Sequence, residues 1–444
     1  RMPIGTFNWD YAKNEGQIRD LVEHRTTSFL VNTHFPMSFE DDGTMKSTAD
    51  WGRYDVALVR KLHYARKNGG IIIFSYGIVR DFDRRFQKKH GWKFMDEAWQ
   101  KAFKSWVLEF ERHLKDDLGM AHNEYTVQLW DEATHGNAEL TVRAGMYMRS
   151  FAPEISTCMD GAQNPDEIRA MDPVIDFWIP HQSTLYGHAR AKEIRALYKQ
   201  IMAKGEPVWT YTCSTNMKAL SPLDYYRLKE WRVWDLGMQG SCYWAYNSWR
   251  GDPWDDFDGT IADCGSIYDG PHGAITSRRW ESTLDGREDY LCLHLLREAG
   301  RRAGGAVQAK IEEFIAQSVK SVLEAPKDIE LFRTVRSDLL AELAKQVGAK
   351  PPSLKNPPTF TVDGDTLLCR LTPDRPVSTT LYYRVPGYDS WRSVSAAESA
   401  TPLLTVRGLT RKRTLEWYLL FHDRTGASAA ALGGLPKAGH ITIP

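Results

Sequence analysis

Apolar residues in this chain fall into short β-type runs that alternate with longer stretches of helical spacing. Eight runs read as strands, at residues 4–11, 28–35, 71–79, 125–132, 155–160, 176–180, 207–213 and 240–247. Residues 71–79 (IIIFSYGIV) are the clearest, being rich in β-branched side chains. Between the runs, apolar positions recur every three to four residues over 15–25, 50–67, 96–118, 139–150, 189–203 and 223–236. Strand and helix signals in alternation predict parallel βαβ units, and eight of them predict a (β/α)₈ barrel over residues 1–302. Residues 284–301 read as its closing helix. Two more amphipathic stretches, 306–323 and 328–347, predict a helical extension over 303–350 packed on the barrel. Beyond Pro351, Pro352, Pro357 and Pro358 the pattern changes to short alternating runs (TFTV, TLLCRL, TTLYYRV, LLTVRGL, LEWYLLFH). These predict a small antiparallel β-sandwich over 358–444.

Charge removes one class of partner. Lys and Arg total 57 and Asp and Glu total 57, with no basic stripe, so nucleic acid is not expected. No apolar stretch reaches membrane length, so no membrane span is expected either. The six cysteines lack CxxC spacing and predict neither a disulfide framework nor a zinc site. Cys158, Cys213 and Cys242 lie in strand-like runs, where buried free thiols are the usual state. The 16 Trp and 19 Tyr suit a large core or a sugar-binding cleft, and composition does not choose between them. The chain opens at Arg1 without a signal-peptide pattern, which leaves the compartment open.

Candidate chemistry narrows by elimination. The sequence holds no GxSxG elbow, HExxH, P-loop or GxGxxG, and its histidines lack ligand spacing. An acidic, aromatic loop follows the eighth strand through Asp252, Trp254, Asp255, Asp256, Phe257 and Asp258. Its spacing does not match a calcium loop, and it is expected over the barrel mouth. No metal and no cofactor are expected. What remains are carboxylates at strand ends: Asp10, Asp131, Glu132 and Asp160. Placed beside aromatics, these suit glycoside hydrolysis, which needs an acid for the leaving oxygen and a negative group or nucleophile for the oxocarbenium-like centre. Asp131 and Glu132 are adjacent. Both can reach one ligand only where a strand ends or bulges, because side chains alternate faces along it.

A resemblance extends this reading. Ser277, Arg279, Glu281, Gly286, Glu288, Asp289 and Tyr290 match a segment S-x-R-x-E-x-x-x-x-G-x-E-D-Y. That segment resembles the end of the catalytic barrel of glycoside hydrolase family 123. Residues 241–249 (SCYWAYNSW) and 208–213 (VWTYTC) resemble the family's eighth and seventh strands, and Asp131-Glu132 its catalytic Asp-Glu pair. Most of residues 1–300 follow in order. Ala133 stands where the family commonly has Pro, Tyr268-Asp269-Gly270 where it has Y-P-G, and no counterpart of its amino-terminal β-sandwich occurs in the sequence.

The resemblance implies a β-N-acetylgalactosaminidase, or N-acetylhexosaminidase, acting on an oligosaccharide, glycolipid or polysaccharide by substrate assistance. The substrate's own acetamido oxygen attacks the anomeric carbon and forms an oxazoline. Asp131 orients and charge-stabilises the acetamido N–H, and Glu132 serves as acid and then base. Tyr211 is the expected donor to the acetamido oxygen and Trp244 the expected sugar platform. Tyr76, Trp178, His181, Tyr246, Asn247, Trp249 and Asp160 are the further substrate-binding candidates, and Arg279 and Glu281 are expected to make a structural salt bridge. The resemblance also implies a secreted or periplasmic protein. Two rival readings stay open: an enzyme carboxylate nucleophile, with Glu132 as acid and Asp160 or Asp10 attacking, and a non-catalytic carbohydrate-binding barrel.

Overall fold

The structure is a computed structural model. It describes residues 2–12, 14–47, 50–75, 77–214, 217–248, 251–255, 258, 264–271, 273–347, 352–384, 392–407, 414–422, 428–431 and 439–442. The chain divides into two compact units, Arg1–His294 with Glu313–Thr334, and Leu295–Glu312 with Val335–Pro444.

The first unit is α/β. Its parallel strands are β1 (Gly5–Asn8), β2 (Phe29–Asn32), β3 (Ile72–Ser75), β4 (Tyr125–Gln128), β5 (Thr157–Asp160), β6 (Phe177–Ile179), β7 (Trp209–Thr212) and β8 (Gly240–Tyr243). Between them run α1 (Glu15–Glu23), α2 (Gly52–Asn68), α3 (Ile78–His90), α4 (Glu97–Arg112), α5 (Gly136–Arg149), α6 (Pro165–Met171), α7 (Gln182–Tyr186), α8 (Ala191–Ala203) and α9 (Leu228–Leu236). A short hairpin, β9 (Tyr268–Asp269) with β10 (Ala274–Ile275), precedes α10 (Arg278–Ala303). The long helices α11 (Gly305–Glu324) and α12 (Ile329–Val347) follow.

The strands form two parallel sheets, one in the order β2-β3-β4-β5-β6 and one in the order β1-β8-β7. Backbone bonds link the sheets at both seams. Thr27 and Ser28 donate to the carbonyl of Thr6 at 3.0 and 2.9 Å, joining β2 to β1. Isolated parallel bridges, Trp178 with Val208 and His181 with Tyr211, join β6 to β7.

Strand alternation sorts the side chains into two clusters. Phe7, Trp9, Leu30, Ile73, Cys158, Phe177, Ile179, Trp209, Tyr211 and Cys242 gather on one face of the strands. Phe29, Val31, Ile72, Phe74, Tyr125, Val127, Met159 and Trp178 take the other face and join the helices in the larger core. In α4, Asp96 caps the first turn by accepting from the Trp99 N–H at 2.8 Å. One side of that helix then buries Trp99, Phe103, Trp106 and Phe110.

Several elements differ from expectation. The third strand stops at Ser75 rather than 79, because Gly77 takes φ +69° and Ile78 already opens α3. A Cβ at residue 77 would lie 2.9 Å from the Cα of Trp130, so the backbone after β3 crosses close over the chain after β4. The stretch 223–236 divides into a wide turn, Pro222–Arg227, and α9. The helix expected from 284 begins at Arg278.

The second unit carries β11 (Thr359–Asp363), β12 (Thr366–Arg370), β13 (Val377–Arg384), β14 (Arg392–Ser399), β15 (Leu403–Val406), β16 (Thr414–His422), β17 (Ser428–Ala431) and β18 (Gly439–Thr442). They form two antiparallel sheets, β11-β12-β15 and β14-β13-β16-β17 with β18 also on β16. Leu367, Cys369, Leu381, Leu404, Val406, Leu415, Leu419 and Phe421, contributed by both sheets, share one apolar cluster.

Candidate active site

The strand β4 ends at Gln128, and the chain then runs through buried Leu129 and Trp130 to Asp131 and Glu132. Glu132 is the turning point. Its φ is +52°, a backbone region that costs a residue with a Cβ about 1–3 kcal/mol and persists only where its surroundings hold it there. Two neighbours do so. The Glu132 N–H donates to Asp160 Oδ1 at 3.0 Å, and Gly161, the residue just after β5, packs against the Glu132 side chain. Gly161 has φ +78°, and a Cβ there would come within 2.8 Å of Glu132 Cγ, so any other residue would be strained and would displace the Glu132 side chain. Left-handed at Glu132, the chain turns so that the adjacent acids point to different partners.

Glu132 is exposed, and its Oε1 accepts a hydrogen bond from the Tyr211 hydroxyl on β7. Asp131 is part-buried, and its Oδ2 takes Nη1 of Arg80 at 2.7 Å. Arg80, on the first turn of α3, also grips Asp81 at 3.0 Å. Asp160 is buried at the end of β5, where Gln128 Nε2 donates to it at 2.7 Å. Burial first, then the charges of Asp131 and Glu132, push the Asp160 carboxyl up to about 7, against hydrogen bonds that stabilise its ionised form. Burial, followed by the fields of Asp160 and Glu132, also raises the Tyr211 hydroxyl well above the usual phenol range, so it stays a donor. The His181 ring lies edge-on to Tyr211 with centroids 4.8 Å apart, and burial lowers its pKa. Trp9 packs on Tyr211 from just beyond β1, with centroids 5.4 Å apart.

The expected site residues therefore separate. Asp131, Glu132, Asp160, Tyr211 and His181 come together. Trp244 follows β8, donates its N–H to Thr212 at 3.1 Å, and keeps part of its surface open. Trp178 does not belong. It is fully buried among the helices against Tyr198, because Phe177 and Ile179 take the inner face of β6. Tyr246 is likewise turned outward, bonding Asp20 at 2.8 Å beneath Trp280. Asn247 is buried and closes the turn after β1 by accepting from the Tyr11 N–H at 2.7 Å. Asp10 lies two residues beyond β1, is absent from the cluster that takes Phe7 and Trp9, and is held by buried Lys61 at 2.6 Å. Tyr76 and Trp249 lie outside the described residues. Around the closing motif, Glu281 pairs with His24 at 3.6 Å, whereas Arg279 turns to the carbonyls of Lys218 and Gly265.

Arg80, Gln128 and Gly161 were not among the expected residues. Gln128 shares the inward parity of Asp160 and could have been found by alternation. Arg80 could not, since it reaches Asp131 across 51 positions of sequence.

The Asp160 environment gives a pH test. Its carboxyl ionises near 3.8 when free and near 7 when folded, so the folded state holds a proton that the unfolded chain releases between those values. The associated stability is complete below the lower value and lost as pH rises through the upper one. Asp160→Asn stays neutral throughout. Melting temperatures of variant and wild type should diverge in the variant's favour as pH rises from about 4 to about 7. A difference independent of pH would contradict this.

Comparison with known proteins follows the geometry. Residues 40–296, more than half of the chain, match the family model described as glycoside hydrolase 123, catalytic domain. No curated protein sequence matches. Among solved structures, a family 123 glycoside hydrolase from Clostridium perfringens, described in terms of glycolipid glycan hydrolysis, superposes with a TM-score of 0.54 at 12% identity. The match covers 74% of this chain and 64% of that one, so the chain spans less than two thirds of that relative's length. An endo-1,4-beta-D-mannanase from Thermotoga petrophila aligns at 15% identity and a TM-score of 0.43, covering 65% of this chain and 99% of that one. With the family model spanning β3 to β8 and the acidic pair between them, the chain belongs to glycoside hydrolase family 123.

Proposed function

We propose that this chain is a retaining β-N-acetylhexosaminidase of the β-N-acetylgalactosaminidase type, working by substrate assistance. Its site lies at the carboxyl ends of eight strands read as one (β/α)₈ barrel, with the second unit as a β-sandwich. The observation that carries the mechanism is the position of the spare carboxylates. A two-carboxylate retaining enzyme needs its nucleophile about 5–5.5 Å from the acid, across the anomeric carbon. Asp160 is buried and bonded to the backbone of Glu132 itself, and Asp10 is buried beyond the end of β1 and locked to Lys61. Both arrangements argue against attack from the far side of a sugar. This supports leaving the nucleophile's part to the substrate's acetamido oxygen.

In this mechanism Arg80 holds Asp131 in place through its ion pair, and Asp131 holds the acetamido N–H and offsets the positive charge of the forming oxazolinium ring. A protonated Glu132 donates to the Tyr211 oxygen, which frees the Tyr211 hydroxyl to donate to the acetamido oxygen. Glu132 then gives its proton to the leaving oxygen as the C–O bond breaks. As base, it removes a proton from the water that opens the oxazoline. Asp160 and Gly161 hold Glu132 in its left-handed turn. A panel of aryl glycosides tests the reading. Aryl β-N-acetylgalactosaminide should be cleaved and the matching aryl β-galactoside should be nearly inert. Efficient cleavage of both would favour an enzyme nucleophile, and binding without turnover would favour a non-catalytic lectin.

A further inference from the structure

Trp254, on the loop after β8, is the only exposed tryptophan among the described residues, at 61% of its full accessibility. It is not loose. One face of its indole lies on the Tyr268 ring with centroids 3.9 Å apart and planes within 7°. Tyr268 in turn has two cations over it, Lys218 at 5.6 Å and Arg279 at 5.9 Å. Lys218 Nζ also donates to the carbonyl of Pro253 at 2.6 Å, and the Trp254 N–H donates to Asp252 Oδ1 at 2.9 Å. Stack, cations and backbone bonds fix the ring before any ligand arrives, so little ordering entropy remains to be lost on binding.

The site lies at the end of the fold that carries the acidic pair. The loop's return segment is zipped onto the residues after Trp244: Ser266 donates its N–H to Ala245 at 3.2 Å and its hydroxyl to the same carbonyl at 2.9 Å. Tyr268 follows two residues later, within about 7 Å of Ser266 along the chain. Exposed Asp252, Asp255 and Asp258 lie on the same loop, and Asp252 and Asp258 are linked to its backbone near Trp254. An apolar protein surface docking there would strip water from those acids without replacing it, whereas sugar hydroxyls can donate to them. The C–H face of a pyranose suits the indole and its hydroxyl rim suits the carboxylates.

We propose that Trp254, stacked on Tyr268, is a glycan subsite that holds a sugar ring other than the one whose bond is cleaved. It rests on the glycosidase reading and selects longer glycans over single-sugar substrates. The test pairs turnover with binding. For an aryl β-N-acetylgalactosaminide, Trp254→Ala should leave kcat/KM within about twofold of wild type. For a tetrasaccharide ending in β-linked N-acetylgalactosamine, KM should rise about tenfold, the scale of one lost aromatic stack, and Trp254→Phe should recover most of it. Calorimetry of the same tetrasaccharide with Glu132→Gln protein, with and without Trp254→Ala, reads the subsite without hydrolysis. A Trp254-dependent affinity supports the platform even if turnover were to fail, so the two claims separate. Equal affinities overturn it, as does an equal loss on both substrates. No gain of tetrasaccharide over monosaccharide, or a shift in oligomeric state with unchanged glycan affinity, overturns it too.

Discussion

Glu132→Gln should lower turnover of an unactivated β-N-acetylgalactosaminide by about 10²–10⁴-fold, the usual worth of a positioned proton donor and acceptor. The substitution is conservative where it matters for folding. The amide oxygen still accepts from the Tyr211 hydroxyl, the backbone N–H still reaches Asp160, and the side chain is exposed. Melting temperature should therefore stay close to that of wild type. What the amide lacks is a proton to give the leaving oxygen and a basic oxygen to take one from water. Aryl substrates with good leaving groups need less help in the first step, so their bond cleavage should suffer less than the opening of the intermediate. Near-normal turnover of an oligosaccharide by this variant would remove Glu132 from the acid/base role.

Tyr211→Phe should cost about 2.7–4 kcal/mol of transition-state stabilisation, or roughly 10²–10³ in kcat, if its hydroxyl serves the acetamido oxygen. The ring stays packed between Trp9 and His181, so folding is preserved. Two consequences are expected together. The acetamido oxygen loses a donor as it attacks, and Glu132 loses the partner that sets its position. Binding of the product sugar should change much less than kcat, because the donor matters most as charge develops. Unchanged kinetics would make Tyr211 a member of the inner core layer and nothing more.

Much of this fold was legible in the chain, and the misses have specific causes. The eight strands announced themselves through β-branched runs between helical stretches, and the resemblance picked out Asp131-Glu132, Tyr211 and the closing segment. The sequence pattern carries β3 on to residue 79, because Ile78 and Val79 prolong an apolar run whose end is set by a positive φ at Gly77. Trp178 and Tyr246 were attractive as aromatics near strand ends. Parity already argued against Trp178, since Phe177 and Ile179 occupy the inner face. The same parity puts Asp160 inward with Cys158, whereas Asp10 lies beyond β1, outside the cluster that takes Trp9, and is held by Lys61. Arg80 was out of reach for any local rule. It meets Asp131 only because the loops after β3 and β4 cross at Gly77.

Inhibition by a thiazoline analogue of N-acetylgalactosamine tests the central mechanism most directly, because it copies the ring that the acetamido group forms. Substrate assistance predicts competitive inhibition at least about 100-fold tighter than by N-acetylgalactosamine, as befits a mimic of the bound intermediate. Asp131→Asn should abolish most of that advantage while retaining affinity for the free sugar, since the neutral amide cannot offset the ring's positive charge. Intact-mass measurements during turnover of an activated aryl substrate should show no glycosyl group on the protein. A thiazoline that binds no better than the sugar, together with a covalent glycosyl-enzyme on any carboxylate, would contradict the mechanism and install an enzyme nucleophile in its place.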